Sequence, residues 1–576
     1  MNCTQQVLSE DYLEYLLEYT GIGGELAEKI GVECVEIASY RFAVIYEEGE
    51  AYSLETLTSA KIIPHCYGLL SSEEVLESTG VTRVRRQPGL SLYGQGVIIG
   101  FVDTGIDYSH PAFVNEDGTS RIKRIWDQTI YEGEEYLPEG LYYGREYTQE
   151  DINRALESDA PLEIVSSVDT NGHGTMVAGI ACGNSIEEEQ FSGIAPLAQI
   201  CVVKCREAKQ NLKDYYRVET GEPCYAESDI MLAVRYLWTI ANREKLPIVI
   251  CLGMGTSLGS HNRGGILGEM LQGYGDFRET FIVTGGGNEG NTSHHYYNPG
   301  IPANEDIEIE LRVGEKELGF TMELWADAPN LYSVALTSPD GEYSGKTQAR
   351  LGESRRINFV FGNTVVYVEY LIVSNESGDE CVRIRFQSPV QGIWRLRVFN
   401  ERNHAGRFDI WLPIRNFVEE GTYFLTADPN TTLCDPANNV GVITCSYYNS
   451  ANRSVAIESG RGYTRDGIIK PDFAAPGINI YGPLPFAGNY PASNEERNAR
   501  ARYAYRSGSS MATAVTAGTA ALLAEWGIVR GRDITIDSSA MRKYFIRGAN
   551  PSGMQVPNTA WGNGTLDLYG VFESFR

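Results

Sequence analysis

Three residues far apart in the chain have the types needed to cut an acyl bond: Asp103 in VIIGFVDTGIDYSHP, His173 in NGHGTMVAGIACG and Ser510 in SGSSMATAVTAG. A serine hydroxyl is a poor nucleophile at neutral pH. It needs a neutral imidazole to take its proton and a carboxylate to hold that imidazole in the right tautomer. Acid, base and nucleophile in the order Asp, His, Ser meet that requirement and make a serine hydrolase. A fourth segment, Gly285-Gly286-Gly287-Asn288-Glu289-Gly290, offers glycines that let backbone approach a substrate. It also offers a side-chain amide, Asn288, able to donate to the oxygen that becomes negative in a tetrahedral intermediate.

Each of these residues sits where a regular element should begin or end. Asp103 closes the apolar run Val97 to Val102, which reads as a buried parallel strand, and Gly105 breaks the run just beyond. The carboxylate is thereby expected at the C-terminal edge of a sheet, where open α/β sheets build their sites. Phe281 to Thr284 reads as a second buried strand leading into the glycines. His173 opens the helical run Thr175 to Gly183, and Ser510 opens the Ala-rich run to Glu525. A serine at a helix N-terminus lies beside unpaired N–H groups and the positive end of the dipole.

DTGID, NGHGT with a following VAG, GGGNEG and GSSMA resemble, in order, the four signature blocks of the subtilisin-like serine proteases, or subtilases. The resemblance implies an α/β fold of three layers with a mostly parallel sheet, and peptide-bond hydrolysis through an acyl-enzyme. Asp103, His173 and Ser510 would be the triad and Asn288 the oxyanion donor. Ser509 stands where the family usually has threonine. Val249-Ile250-Cys251-Leu252-Gly253-Met254-Gly255 resembles one wall of the family's specificity pocket, with Gly253 where serine is usual, and Gly285, Gly286 and Gly287 would form the opposite wall. Five of the six wall residues are glycine, which predicts backbone pairing with an extended substrate and a roomy, uncharged pocket for medium or large uncharged P1 residues. Met254 would adapt to their shapes.

Composition bounds the rest. At 576 residues the chain is too long for one ordinary core. A net charge of −28 argues against nucleic-acid or anionic-membrane partners. The first twenty residues lack the basic n-region of a signal peptide, and no apolar run reads as long enough to cross a membrane. The eleven cysteines lack metal-ligand spacing, so neither metal nor cofactor is expected; several fall in apolar runs and read as free, buried thiols suited to a reducing cytosol. The cluster Arg83, Arg85, Arg86 reads as a solvated loop or as a site nicked by trypsin-like proteases.

Before the first catalytic strand, an amphipathic segment from Glu10 to Tyr19 and the alternating run Val35 to Tyr46 resemble the small propeptide domain of subtilases, which assists folding and then occupies the active site. The expected α+β propeptide spans 1–71, with cleavage within 65–75. From about Asn291 the sequence changes to short alternating runs such as Ile307 to Leu311 and Trp394 to Val398, separated by turn signals like Ser338-Pro339-Asp340-Gly341. These predict an inserted β-sandwich over 291–415, with SPDG and GIWRLRV resembling jelly-roll pieces. The catalytic domain would thus comprise 72–290 and 416–576.

The insert, the propeptide and the segment Ile125 to Thr129 (IWDQT) together resemble the Csp-type branch of the subtilases, proteases of anaerobic spore formers that activate a cortex-lytic pro-enzyme during germination. That implies a cytoplasmic or spore-associated endopeptidase acting on a protein or peptide substrate, with its own cleaved propeptide bound non-covalently. A general intracellular degradative protease and a non-catalytic regulatory pseudoprotease are the alternatives. The intact triad speaks against the last.

Overall fold

The computed structural model describes residues 3–19, 31, 34–49, 51–52, 61–69, 76–375, 377–402, 405–486, 497 and 500–575. At its centre lies a nine-stranded sheet. Ile98–Asp103 is flanked in parallel by Ile248–Leu252 and Gln199–Lys204, and Thr280–Gly285, Ile443–Asn449 and Phe473–Pro476 extend the parallel array. Alternation within the strands sends residues to opposite faces. Ile99, Phe101, Ile200 and Val202 join one core, under the helices His173–Cys182 and Ser509–Ala524; Ile98, Val102, Cys201 and Val203 join the other, under Glu227–Glu244 and Gly265–Gly275. Burial on both faces is why these strands read as continuous apolar runs. The result is the mostly parallel α/β sheet with helices on both faces that the sequence led us to expect.

The stretch Ser509–Val529 is long and apolar enough to cross a membrane, against expectation. It is 83% buried within the protein, and its apolarity serves the core between sheet and neighbouring helices.

The N-terminal segment folds as a four-stranded antiparallel sheet ordered Val35–Ile37, Phe42–Glu48, Tyr12–Glu18, Lys61–Ile62. Tyr12–Glu18 buries both of its faces. Leu13, Tyr15 and Leu17 meet one cluster, and Leu16 joins the core beneath the helix Glu227–Glu244. The acidic residue on that inner face, Glu14, is held at 2.5 Å by Arg206 and at 2.5 Å by the Ser228 hydroxyl. Arg206 also donates to Asp229 at 2.8 Å. Nearby, Glu36 accepts from Tyr46 and from the Tyr142 backbone, and burial lifts its carboxyl to about 7.

Cys3 and Cys34 form a disulfide with Cα atoms 5.3 Å apart, a pairing the sequence reading did not foresee. The short helix Cys3–Leu8 packs beside the first strands and brings the two within bonding range; spacing along the chain carries no trace of that contact. The other nine cysteines are buried and outside any disulfide among the described residues.

Beyond Gly290 two antiparallel sheets pack over a common core. One has six strands, beginning with His295–Asn298 beside Phe408–Trp411, and the other has four. The turn at Ser338-Pro339-Asp340-Gly341 closes with a Gly341 N–H to Ser338 carbonyl bond of 2.9 Å. The short strand Tyr423–Phe424 pairs with Asp306–Val313 of the four-stranded sheet. Arg465, fully buried, ties this unit to the catalytic one through Asp327, Asp379 and Asp409 at 2.5, 2.8 and 3.1 Å.

The arginine cluster is not a loop. Val81–Arg86 is a helix in which the Arg85 guanidinium donates to the carbonyls of Gly193 and Ile194, and Arg83 lies over the Tyr569 ring.

Candidate active site

The sheet and the two apolar helices bring the three sequence-distant residues together. Asp103 ends its strand, His173 and Ser510 lie at helix N-termini, and all three are buried. Asp103 Oδ1 is 2.7 Å from His173 Nδ1, and it also accepts the Thr104 N–H at 2.8 Å. His173 Nε2 lies 3.0 Å from Ser510 Oγ. An aspartate on Nδ1 leaves Nε2 free to accept, which is the tautomer a general base requires. The single hydroxyl proton of Ser510 faces a second acceptor as well, the Gly253 carbonyl, at 3.0 Å.

Two glycines show how tightly this is assembled. A Cβ on Gly253 would stand 3.1 Å from Ser510 Oγ and 3.4 Å from His173 Cε1. One on Gly174 would collide with the Gly105 carbonyl, which explains the glycine after the histidine and the break after Asp103.

Gly285-Gly286-Gly287-Asn288 runs beside the serine helix. The Gly287 N–H donates to Ser509 Oγ at 3.0 Å, and Asn288 Oδ1 accepts the Ser509 N–H at 3.1 Å. With its oxygen so engaged, the Asn288 amide keeps its nitrogen as the free donor. Serine at 509 supplies the hydroxyl that threonine would, so the departure from the family pattern leaves this bond intact.

Gly253, Met254 and Gly255 lie on the other side. Met254–Gly255 pairs antiparallel with the strand Cys66–Leu69, Met254 opposite Leu69 and Gly255 opposite Gly68. That strand is also paired on its far edge with Tyr225–Ala226. It is thus the middle of a three-stranded sheet in the cleft, anchored at its start by Glu227, whose carboxylate accepts the His65 N–H at 3.0 Å. Of the expected cleavage window, 65–69 lies in and next to this strand and 70–75 lies outside the described residues.

Sequence reasoning missed Leu433 and Cys434. A Cβ on Gly255 would meet Cys434 Cβ at 2.8 Å, one on Gly287 would collide with Cys434 Sγ, and one on Gly286 would meet Leu433 Cδ2 at 2.8 Å. Cys434 therefore lies between the two glycine-rich segments, and the space is narrower than five glycines suggest. Burial pushes its thiol well above the ordinary range, so it is present as the neutral SH. No motif marks it. Among the described residues, no group of three or more His, Cys, Asp or Glu is placed to hold a metal ion.

Residues 94–309 and 414–565 match the model of the Subtilase family, and the chain belongs to that family. The solved CspB protease of Clostridium Perfringens is similar over 86% of this chain and 96% of its own, with 30% identity and a TM-score of 0.74. Curated relatives include the subtilisin-like proteases SBT2.2 and SBT2.3 of Arabidopsis thaliana, each 34% identical over 134 residues. This chain spans 16% of the length of each. Family membership and the likeness to the CspB protease rest on the same fold, a mostly parallel sheet that carries Asp103 at a strand end and His173 and Ser510 at helix N-termini.

Proposed function

We propose that the protein is a self-processed endopeptidase whose N-terminal unit is a propeptide, with Asp103, His173 and Ser510 as catalytic triad and Asn288 as oxyanion donor. Gly253, Met254 and Gly255 would form one wall of the substrate cleft and Gly285, Gly286 and Gly287 the other. The observation that carries this reading is the strand Cys66–Leu69 in the cleft, bonded on both edges as an extended substrate would be. Its register runs toward Gly253, beside Ser510, and the next peptide bonds of the chain are those of Leu70-Ser71-Ser72. In the reaction, His173 takes the Ser510 proton as Oγ adds to the carbonyl carbon. Asn288 donates to the resulting oxyanion, and the imidazolium returns the proton to the leaving amine, leaving an acyl-enzyme for water to resolve.

The inserted β-unit and the similarity to the CspB protease support limited proteolysis in the cytoplasm or spore, activating another enzyme's precursor as in spore germination. General intracellular degradation is the second reading. The triad distances argue against a pseudoprotease.

Wild-type protein should run as two chains on a denaturing gel, with a new N-terminus directly after residue 70, and Ser510→Ala as one. A Ser510→Ala protein that is still cut at that bond in purified form overturns self-processing. Mapping of cut sites in a lysate separates the two physiological readings: one or few cuts mean precursor activation, many mean turnover.

A further inference from the structure

A cavity of about 510 Å³ opens next to His173, and neither Met254 nor Gly255 is among its lining residues. It is bounded by the loop that leads into His173, including Gly172, and by Leu484, Pro485 and Phe486. Arg502 and Arg506 complete it, from the strand Arg502–Arg506 that leads into Ser510. Gly172 and Pro485 close its base, since a Cβ on Gly172 would stand 3.0 Å from Pro485 Cδ.

In a chain of net charge −28, two arginines meet here, and among the described residues neither forms an ion pair. The one carboxylate on the lining, Asp169, is spent inside its own loop. Its Oδ1 accepts from Thr104, Asn171 and Gly172, and its Oδ2 from the Thr175 N–H and hydroxyl. The cavity therefore presents cationic forks over an apolar floor, a chemistry suited to carboxylates.

We infer that this cavity is the subsite for the residues following the scissile bond and that it selects acidic ones. The inference rests on the reading of Ser510 and His173 as the catalytic pair. The strand Cys66–Leu69 occupies the cleft on the Met254–Gly255 side with its C-terminal end toward Ser510, so a chain continuing past the serine reaches the flank built by the residues just before His173 and Ser510. The protein's own sequence fits: beyond Leu70 come Ser71, Ser72, Glu73 and Glu74. The substrate class is thus a protein with one or more glutamates or aspartates within about four residues downstream of the cut.

The test uses full-length protein and peptides identical up to the scissile bond, with Glu, Gln or Lys placed at each of the four following positions. At one position or more, kcat/KM for Glu should exceed that for Lys by about tenfold, with Gln between, and the gap should shrink as salt is raised. Arg506→Glu should reverse the order, and Arg502→Gln with Arg506→Gln should bring the three within about twofold. Wild-type protein that cleaves all three peptides alike, or prefers Lys, overturns the inference without any variant being needed. Wild-type protein that cleaves none of the peptides, and nothing else offered, instead overturns the endopeptidase reading beneath it.

Discussion

Leu69 lies opposite Met254 in an antiparallel ladder, one step from Gly253, the residue whose carbonyl holds the Ser510 hydroxyl. The strand Cys66–Leu69 and Ser510 are thereby connected through two residues of one cleft wall, Met254 and Gly253. The backbone that would pair with a foreign substrate is already taken.

The oxyanion assignment makes a kinetic demand. Replacing Asn288 with Ala removes the free amide donor while leaving the Ser510–His173 contact in place. Turnover should fall about 100- to 1,000-fold, the usual loss for such a donor, with little change in KM. A turnover number within a few-fold of wild type removes Asn288 from the oxyanion hole.

Cys434 should set the size of the P1 residue. Cys434→Gly vacates the space between Gly255 and Gly287 and should raise the kcat/KM ratio of P1 Phe over P1 Ala peptides by about tenfold, the scale on which a pocket discriminates by volume. Profiling both enzymes on a P1 series checks this. A ratio that does not move means that the P1 side chain goes elsewhere.

The contact between the N-terminal unit and the catalytic unit should weaken as pH rises. Burial holds the Glu36 carboxyl up at about 7 against an ordinary 4.5, with Asp229 adding to the effect and Tyr46, the Tyr142 N–H and Arg206 opposing it. A raised acid favours the docked state fully below 4.5, and that contribution is lost as pH climbs through 7. Dissociation of the cleaved N-terminal fragment, followed by surface plasmon resonance, should be about tenfold or more faster at pH 8 than at pH 5. Glu36→Gln should flatten the profile. An equally steep profile in Glu36→Gln places the titrating group elsewhere.

Arg465→Met should loosen the β-rich insert. It leaves Asp327, Asp379 and Asp409 facing one another without the buried cation that joins them. Removing one side of such a network costs about 3–5 kcal/mol. Urea unfolding, with limited proteolysis to locate the opened segment, would show it; a midpoint equal to that of wild type would deny Arg465 this role.

The placement of Asp103, His173, Ser510 and Asn288 was legible in the sequence because each residue sits in a local motif at the end of its own strand or helix, and local motifs survive in one dimension. Asp103 had its apolar run and its glycine break; Ser510 had its Ala-rich helix. What escaped depended on contacts between distant segments. Cys434 reaches Gly255 and Gly287 from beyond the insert, and Cys3 meets Cys34 across the N-terminal unit. Arg85 looked solvated by composition, yet it buries a guanidinium on two carbonyls more than a hundred residues away. Glycine counts suggested an open pocket because they describe the walls and not what stands between them.

The long excursion between residues 299 and 407 leaves from and returns to neighbouring strands, His295–Asn298 lying antiparallel to Phe408–Trp411. Strands so paired are about 5 Å apart, so the insert hangs from a double stem, and the catalytic sheet meets a doorway one strand-spacing wide. The entropy of closing that long excursion is offset by the insert's own ladder. A short turn across the stem, in place of residues 299–407, would then leave the two paired strands in register.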